Sequence, residues 1–255
     1  MFYYWPVVNL LLLLFPLQSA LPAMPGSISK INPYSRIDAI PLPAGYRRQP
    51  VAAHSFAAWL RAMPLKPDKT VYLYNGRLKA NQHAQFAVLD ISTGDKDLQQ
   101  CADAIMRLRA EYLYSEQQLT AIDFMDNNQH HYRLPPAANR AIFNQYLSQV
   151  FSYCGTASLE KQLLPVGSMQ QVAAGDVLIK GGFPGHAMLV ADVASNARGQ
   201  MIYLLVQGFM PAQDMHIVVN PLQPSISPWY TCGEGVIETP EWRFNSRQLR
   251  TWPAH

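Results

Sequence analysis

Covalent or acid–base chemistry in this chain has to come from three cysteines, seven histidines and a thin supply of carboxylates and amides. The most suggestive order is Cys154, then His186, then Gln207. Cys154 stands at the junction of two helical segments, and both a helix N-terminus and a nearby imidazole favour the thiolate, the form of cysteine that attacks a carbonyl carbon. His186 would take the thiol proton and return it to a leaving amine, while Gln207 would orient the imidazole or donate to an oxyanion. The alternative is a structural thiol at position 154. The glycines of Gly181-Gly182-Phe183-Pro184-Gly185 let backbone N–H groups approach a ligand, so Gly182, Phe183 and Gly185 are candidate substrate contacts, or else form a tight hairpin connection. His216 either reaches the same cleft or is a satisfied structural histidine.

The remaining candidates are weaker. Cys101 falls on the apolar face of a helix and reads as a buried structural thiol. Asp192 shares the face of His186 by its even spacing along one strand, and so is a candidate support for the histidine network. Asp123, Asp126, His130 and His131 form a polar group, but adjacent histidines on a strand point to opposite faces, so no metal site is expected there. Lys180 precedes the glycines and no Gly-Lys-Ser/Thr ending follows them, which argues against a phosphate loop. No cofactor is implied.

The elements that must hold these residues are readable from periodicity. Residues 98–114 carry Leu98, Cys101, Ala102, Ile105, Leu108, Arg109 and Tyr112 at spacings of three and four, the clearest amphipathic helix of the chain. Residues 54–63 predict a short helix stopped by Pro64, and residues 137–153 a long one broken at Gly155, after which residues 156–163 start a new turn. Residues 70–74 and 86–90 predict two strands joined through the Asn75-Gly76 turn, and residues 122–124 a short strand. Residues 176–179, 186–193, 202–206 and 216–220 predict further strands whose connections are too short for helical crossovers, hence an antiparallel sheet. The fold class is α+β. Residues 51–255 read as one domain, residues 24–50 as an extended arm lying along its surface, and residues 1–23 as a secretory signal peptide.

That last expectation rests on the first 29 residues, which contain no Lys, Arg, Asp or Glu, and on the apolar run before Ser19-Ala20. The run falls short of the roughly 20 residues a spanning helix needs. The expected setting is the periplasm or cell envelope, with no integral membrane domain in the mature chain. Across all 255 residues 49% are hydrophobic and 15% charged, against roughly 25% charged in an average soluble protein, so the chain is built for a packed core. Its formal charge of +3 is scattered, with no basic run longer than Arg47-Arg48, which excludes nucleic acid as the expected partner.

Two resemblances follow. Cys154, Gly175-Asp176 and Gly185-His186, with Gln207 one strand further, are similar in order to the papain-like NlpC/P60 and CHAP-type hydrolases of the bacterial cell wall. In those enzymes a cysteine opens a helix, a Gly-Asp strand follows and a Gly-His strand brings in the base. The resemblance implies an antiparallel sheet packed against helices and an exported cysteine peptidase or amidase acting on peptidoglycan peptides. The alternative is a noncatalytic envelope protein binding glycan or peptide in the same cleft. Nearly the whole chain more closely resembles a bacterial exported family known as domain of unknown function 4846. Tyr153-Cys154-Gly155-Thr156-Ala157-Ser158-Leu159, the segment from Gly175-Asp176-Val177 to Gly185-His186-Ala187, and the segment from Gly208-Phe209-Met210 to Asp214-Met215-His216 carry that likeness. It implies an envelope setting and a single domain, and leaves the mechanism to the residues.

Overall fold

The computed structural model describes Met1 and residues 30–254, so the expected signal peptide lies outside the described residues. In chain order the elements begin with β1 (Tyr46–Arg48), α1 (Phe56–Arg61), β2 (Gln85–Val88) and α2 (Cys101–Ser115). Next come β3 (Asp123–Met125), β4 (His131–Arg133), α3 (Arg140–Tyr153) and α4 (Thr156–Gln162). The second half supplies β5 (Leu164–Pro165), β6 (Val177–Lys180), β7 (His186–Asn196), β8 (Met201–Gln207) and β9 (His216–Val218). It closes with β10 (Tyr230–Thr231), β11 (Val236–Glu238), β12 (Arg243–Asn245) and β13 (Leu249–Thr251).

The helix boundaries follow local chemistry. In α1 the Ser55 hydroxyl accepts from the Ala58 N–H, and in α3 the Asn139 side chain accepts from the Ile142 N–H, each satisfying a donor that the first turn leaves free. The Asp103 carboxylate folds back onto the Gln100 N–H at 3.1 Å, which starts α2 at Cys101 rather than at Leu98.

A nine-stranded open antiparallel sheet runs in the order β2-β9-β8-β7-β6-β13-β5, with β1 added to the far half of β7 and β10 to β8. Helices pack against it, and two-stranded ribbons β3–β4 and β11–β12 stand apart. The two faces of the sheet build two cores. Ala187, Leu189, Ala191, Leu204 and Val206 face α1 and α2, whereas Met188, Val190, Tyr203 and Leu205 face Ile237 and Phe244. The small Ala187 and Ala191 suit β7 to the close approach of α2.

Three expectations change. Residues 70–74 form isolated bridges, Tyr72 with Leu78 and Leu73 with Gln213, instead of a continuous strand paired with β2. The arm does not simply lie on the surface: Ile37 and Ile40 are fully buried, and the Trp229 Nε1–H donates to the Pro41 carbonyl at 2.9 Å. Asp192 leaves the face of His186, because a bulge between Val190 and Asp192 resets the alternation on which the even spacing relied. It meets Arg48 and Arg61 instead, at 2.6 Å each. Among the described residues no helix is long and apolar enough to cross a membrane.

Candidate functional site

His186 opens β7, Gln207 closes β8 and His216 opens the neighbouring β9, with Gln207 directly opposite His216 in the ladder. All three side chains fall on the face of Met188, Leu205 and Val218. They are almost closed to solvent, with His216 at 0% exposure. Hydrogen-bond polarity then fixes their states in sequence. The Asp214 carbonyl, 2.9 Å from His216 Nδ1, only accepts, so Nδ1 carries the proton and Nε2 is a bare acceptor. Gln207 Nε2 donates to that Nε2 at 3.1 Å and to Glu241 Oε2 at 2.8 Å. Both amide hydrogens are used, so Gln207 Oε1 faces His186, and the proton on His186 must sit on Nε2, 3.1 Å away. Among the described residues no side-chain or backbone group bonds His186 Nδ1, which keeps its lone pair.

The polarity is anchored outside the strands. Lys79 Nζ donates to both oxygens of Glu241 at 2.7 Å, and Asn81 Nδ2 donates to Oε1 at 3.2 Å. Burial lowers the Lys79 pKa and the Glu241 charge opposes it. Burial pushes His186 down to about 4 against the Gln207 bond and the Glu241 charge. Burial, then the Lys79 charge, pushes His216 to about 4 as well. Phe209, Trp242 and Phe244 enclose His186, with ring centroids 4.9, 5.2 and 5.8 Å away. Lys79, Asn81 and Glu241 carry no sequence signal, because they lie in loops and Lys79 and Asn81 meet Glu241 across 160 residues or more.

The cysteines are free thiols. Cys154 caps the end of α3, its N–H bonded to the Val150 carbonyl, and stands one residue ahead of the Gly155 that precedes α4. Burial, then Asp103, Asp126 and Asp123, pushes its thiol up to about 12. Its junction does touch the glycine loop: the Thr156 hydroxyl donates to the Gly182 carbonyl at 3.3 Å, and Gly185 packs against the same hydroxyl too tightly for a side chain. Phe183 projects from that loop, 96% exposed.

Cys101 is the first residue of the fifteen-residue α2. Burial and then Asp103 push its thiol up to about 11, while the N–H groups of Ala102, Ala187 and Cys101 itself hold it down. Ala187 follows His186. A Cβ on Gly208, the residue after Gln207, would stand 2.9 Å from Ala104 Cβ and 3.0 Å from the Gln100 carbonyl oxygen. The first turn of α2 therefore abuts the point where β7 begins and β8 ends, on the Ala187 face of the sheet, opposite to the face that carries the His186 imidazole. The helical spacing that marks Cys101 as a core residue also hides that it opens the helix.

The acidic group around residue 123 is a surface cluster. His131 Nδ1 and Arg133 Nε lie 2.9 and 3.0 Å from Asp123, and Asp126 accepts the backbone N–H groups of Asn128 and His130. Among the described residues, five well-formed surface clefts are lined by residues other than Cys101, Cys154, His186, Gln207 and His216.

An open antiparallel sheet flanked by helices, with a buried imidazole–amide–carboxylate network at one end of its central strands, defines a mixed α+β protein. The chain belongs to the family described as Domain of unknown function (4846), which it matches over residues 37–136 and 125–251. No curated protein and no solved structure matches it.

Proposed function

We propose that this chain is an exported cysteine hydrolase of papain-like design in which Cys101, rather than Cys154, is the nucleophile, His186 the base and Gln207 the residue that orients the base. The observation that carries the reading is the place of Cys101 as the first residue of α2, whose first turn packs on Gly208 at the end of β8, next to Gln207. A cysteine opening a helix, a Gly-Asp segment leading a strand and a Gly-His strand occur in the order of the cell-wall hydrolases when Cys101 takes the first place. Amide or peptide bonds of envelope material, peptidoglycan peptides among them, are the substrate class this order implies. The uncharged apolar N-terminal segment supports export to the envelope.

The chemistry balances on these groups. In this reading the Cys101 thiol proton has to reach His186 Nδ1 around the end of β8, where the ladder stops; it passes there as the sulfur forms a bond to the carbonyl carbon, and the carbonyl oxygen becomes an oxyanion. Backbone N–H groups of the first turn of α2 have no intrahelical partner and stabilise that charge. Collapse breaks the carbon–nitrogen bond, His186 Nδ1–H protonates the departing amine, and a thioester remains. Water then adds its oxygen to the thioester carbon, its proton goes to His186, and the thiolate leaves to recover that proton.

Replacing Cys101 with Ala abolishes hydrolysis of isolated muropeptides, whereas Cys154→Ala retains most of it; liquid chromatography of the products measures both. The reverse pattern overturns the assignment. Iodoacetamide modifies Cys101 ahead of Cys154, and His186→Ala removes that preference. A noncatalytic binding protein is the second reading, favoured by the closure of His186, 2% exposed, beneath its three aromatic neighbours. Under it, no variant at position 101 alters any turnover.

A further inference from the structure

The turn that precedes α2 contains a buried donor with nothing to bond. Gln99 is 1% exposed, and its Oε1 accepts from Arg107 Nη1 at 3.2 Å. Guanidinium only donates, so the amide cannot be turned around, and Nε2 is held away from Arg107 with no hydrogen-bond partner. An orphaned buried amide is destabilising, out of place in a satisfied core and ordinary in a binding site waiting for an acceptor.

Gln99 lines a cleft of about 340 Å³ between the loop at residues 92–98 and α3. Lys96, Arg107, Asn144 and Ser148 supply further donors around it, and Leu147 and Phe151 give an apolar wall. Asp95 is the single acidic residue of the lining, against Lys96 and Arg107, and Arg107 is paired with Glu111 at 2.8 Å, which leaves Lys96 as the available cation. Such a lining selects an oxygen acceptor carrying negative charge, attached to a short aliphatic chain. Gln99 lies two residues before Cys101, which itself does not line the cleft.

We infer that this cleft is a subsite for a peptide carboxylate, with Gln99 Nε2 as its central donor and Lys96 as its counter-charge. The ligand is a short acidic peptide. Its place beside the nucleophile rests on the function proposed above, but the binding itself does not.

The test is calorimetric titration of the Cys101→Ala protein with two probes, acetyl-Ala-Glu-Ala-amide and acetyl-Ala-Gln-Ala-amide, which differ only in the carboxylate. The glutamyl peptide binds at least about tenfold more tightly, as expected for a charge-assisted bond to a buried donor. Adding Gln99→Leu erases the preference. Gln99→Glu keeps an oxygen for Arg107 and reverses it by setting a carboxylate against a carboxylate. Equal affinities, no binding of either probe, or a preference that survives Gln99→Leu overturns the subsite. The two proposals fail separately. A carboxylate preference together with full hydrolysis by the Cys101→Ala protein removes the nucleophile and keeps the subsite, and the opposite pair of results does the reverse.

Discussion

Gln207 makes three hydrogen bonds from one buried amide, and each has a forced direction. A carboxylate that only accepts and a histidine already committed at Nδ1 take both amide hydrogens, so the oxygen has nowhere to point but His186. Glu241 in turn depends on Lys79, its buried cation. Lys79→Met leaves that carboxylate without its counter-ion and lowers stability by about 3 kcal/mol in urea denaturation, a cost typical of breaking a buried pair. Adding Glu241→Gln restores most of the loss, because the uncompensated charge is gone. The same Glu241→Gln change also offers Gln207 a donor as well as an acceptor, which frees its amide to rotate. If Gln207 orients the base, kcat falls by about tenfold or more with KM little changed, as general-base contributions predict; an unaltered kcat would reduce the network to a structural one. At this scale His186, Gln207 and His216 were readable as neighbours, since they sit at the ends of predicted antiparallel strands. Lys79 and Glu241 were not, because nothing in local periodicity reports a contact between loops at opposite ends of the chain.

Elements were legible where one face is apolar and illegible where the backbone departs from regularity. The spacing of Ala102, Ile105, Leu108 and Tyr112 announces α2, and the run of apolar residues from Ala187 announces β7. Periodicity does not announce that Asp103 would fold back to start the helix at Cys101, nor that a bulge would turn Asp192 from the histidines to Arg48 and Arg61. The first of these matters for function, since one turn of error converts a helix-opening thiol into an anonymous core residue. The contact that sets α2 against the strand ends is Gly208. Its neighbours, Ala104 and the Gln100 carbonyl, are a short side chain and backbone, so neither can swing aside. Gly208→Val therefore pushes the first turn of α2 off β8, with a loss of about 1–3 kcal/mol by overpacking. Thermal unfolding measures that loss, and slower iodoacetamide modification of Cys101 would report the displaced thiol. A variant with unchanged stability and unchanged modification would show that α2 does not need this contact.

Over the whole molecule, buried titratable groups set competing pH dependences. His186 and His216 are held near 4, below the ordinary histidine value of 6.5, so between these limits the unfolded chain binds protons that the folded chain refuses. Stability contributed by each is fully present above about pH 6.5 and is lost as pH falls toward 4, by about 3 kcal/mol per histidine at the lower limit. Asp103 and Asp176 act in the opposite sense. Burial raises both carboxyls above their ordinary value, so the folded chain keeps protons that the unfolded chain releases, and their contribution weakens as pH rises. The net acid response is therefore a difference between two groups of buried residues, and a raw stability curve does not separate them. Single replacements do. His216→Gln retains an acceptor for Gln207 and a donor for the Asp214 carbonyl, yet cannot be protonated, so its urea-unfolding free energy falls less steeply than that of the wild type from pH 6.5 to 4. Asp103→Asn removes an opposing contribution and makes the fall steeper. Parallel curves for the wild type and His216→Gln would mean that His216 keeps its ordinary proton affinity. The buried polar network would then be open to water, and the closed site around His186 with it.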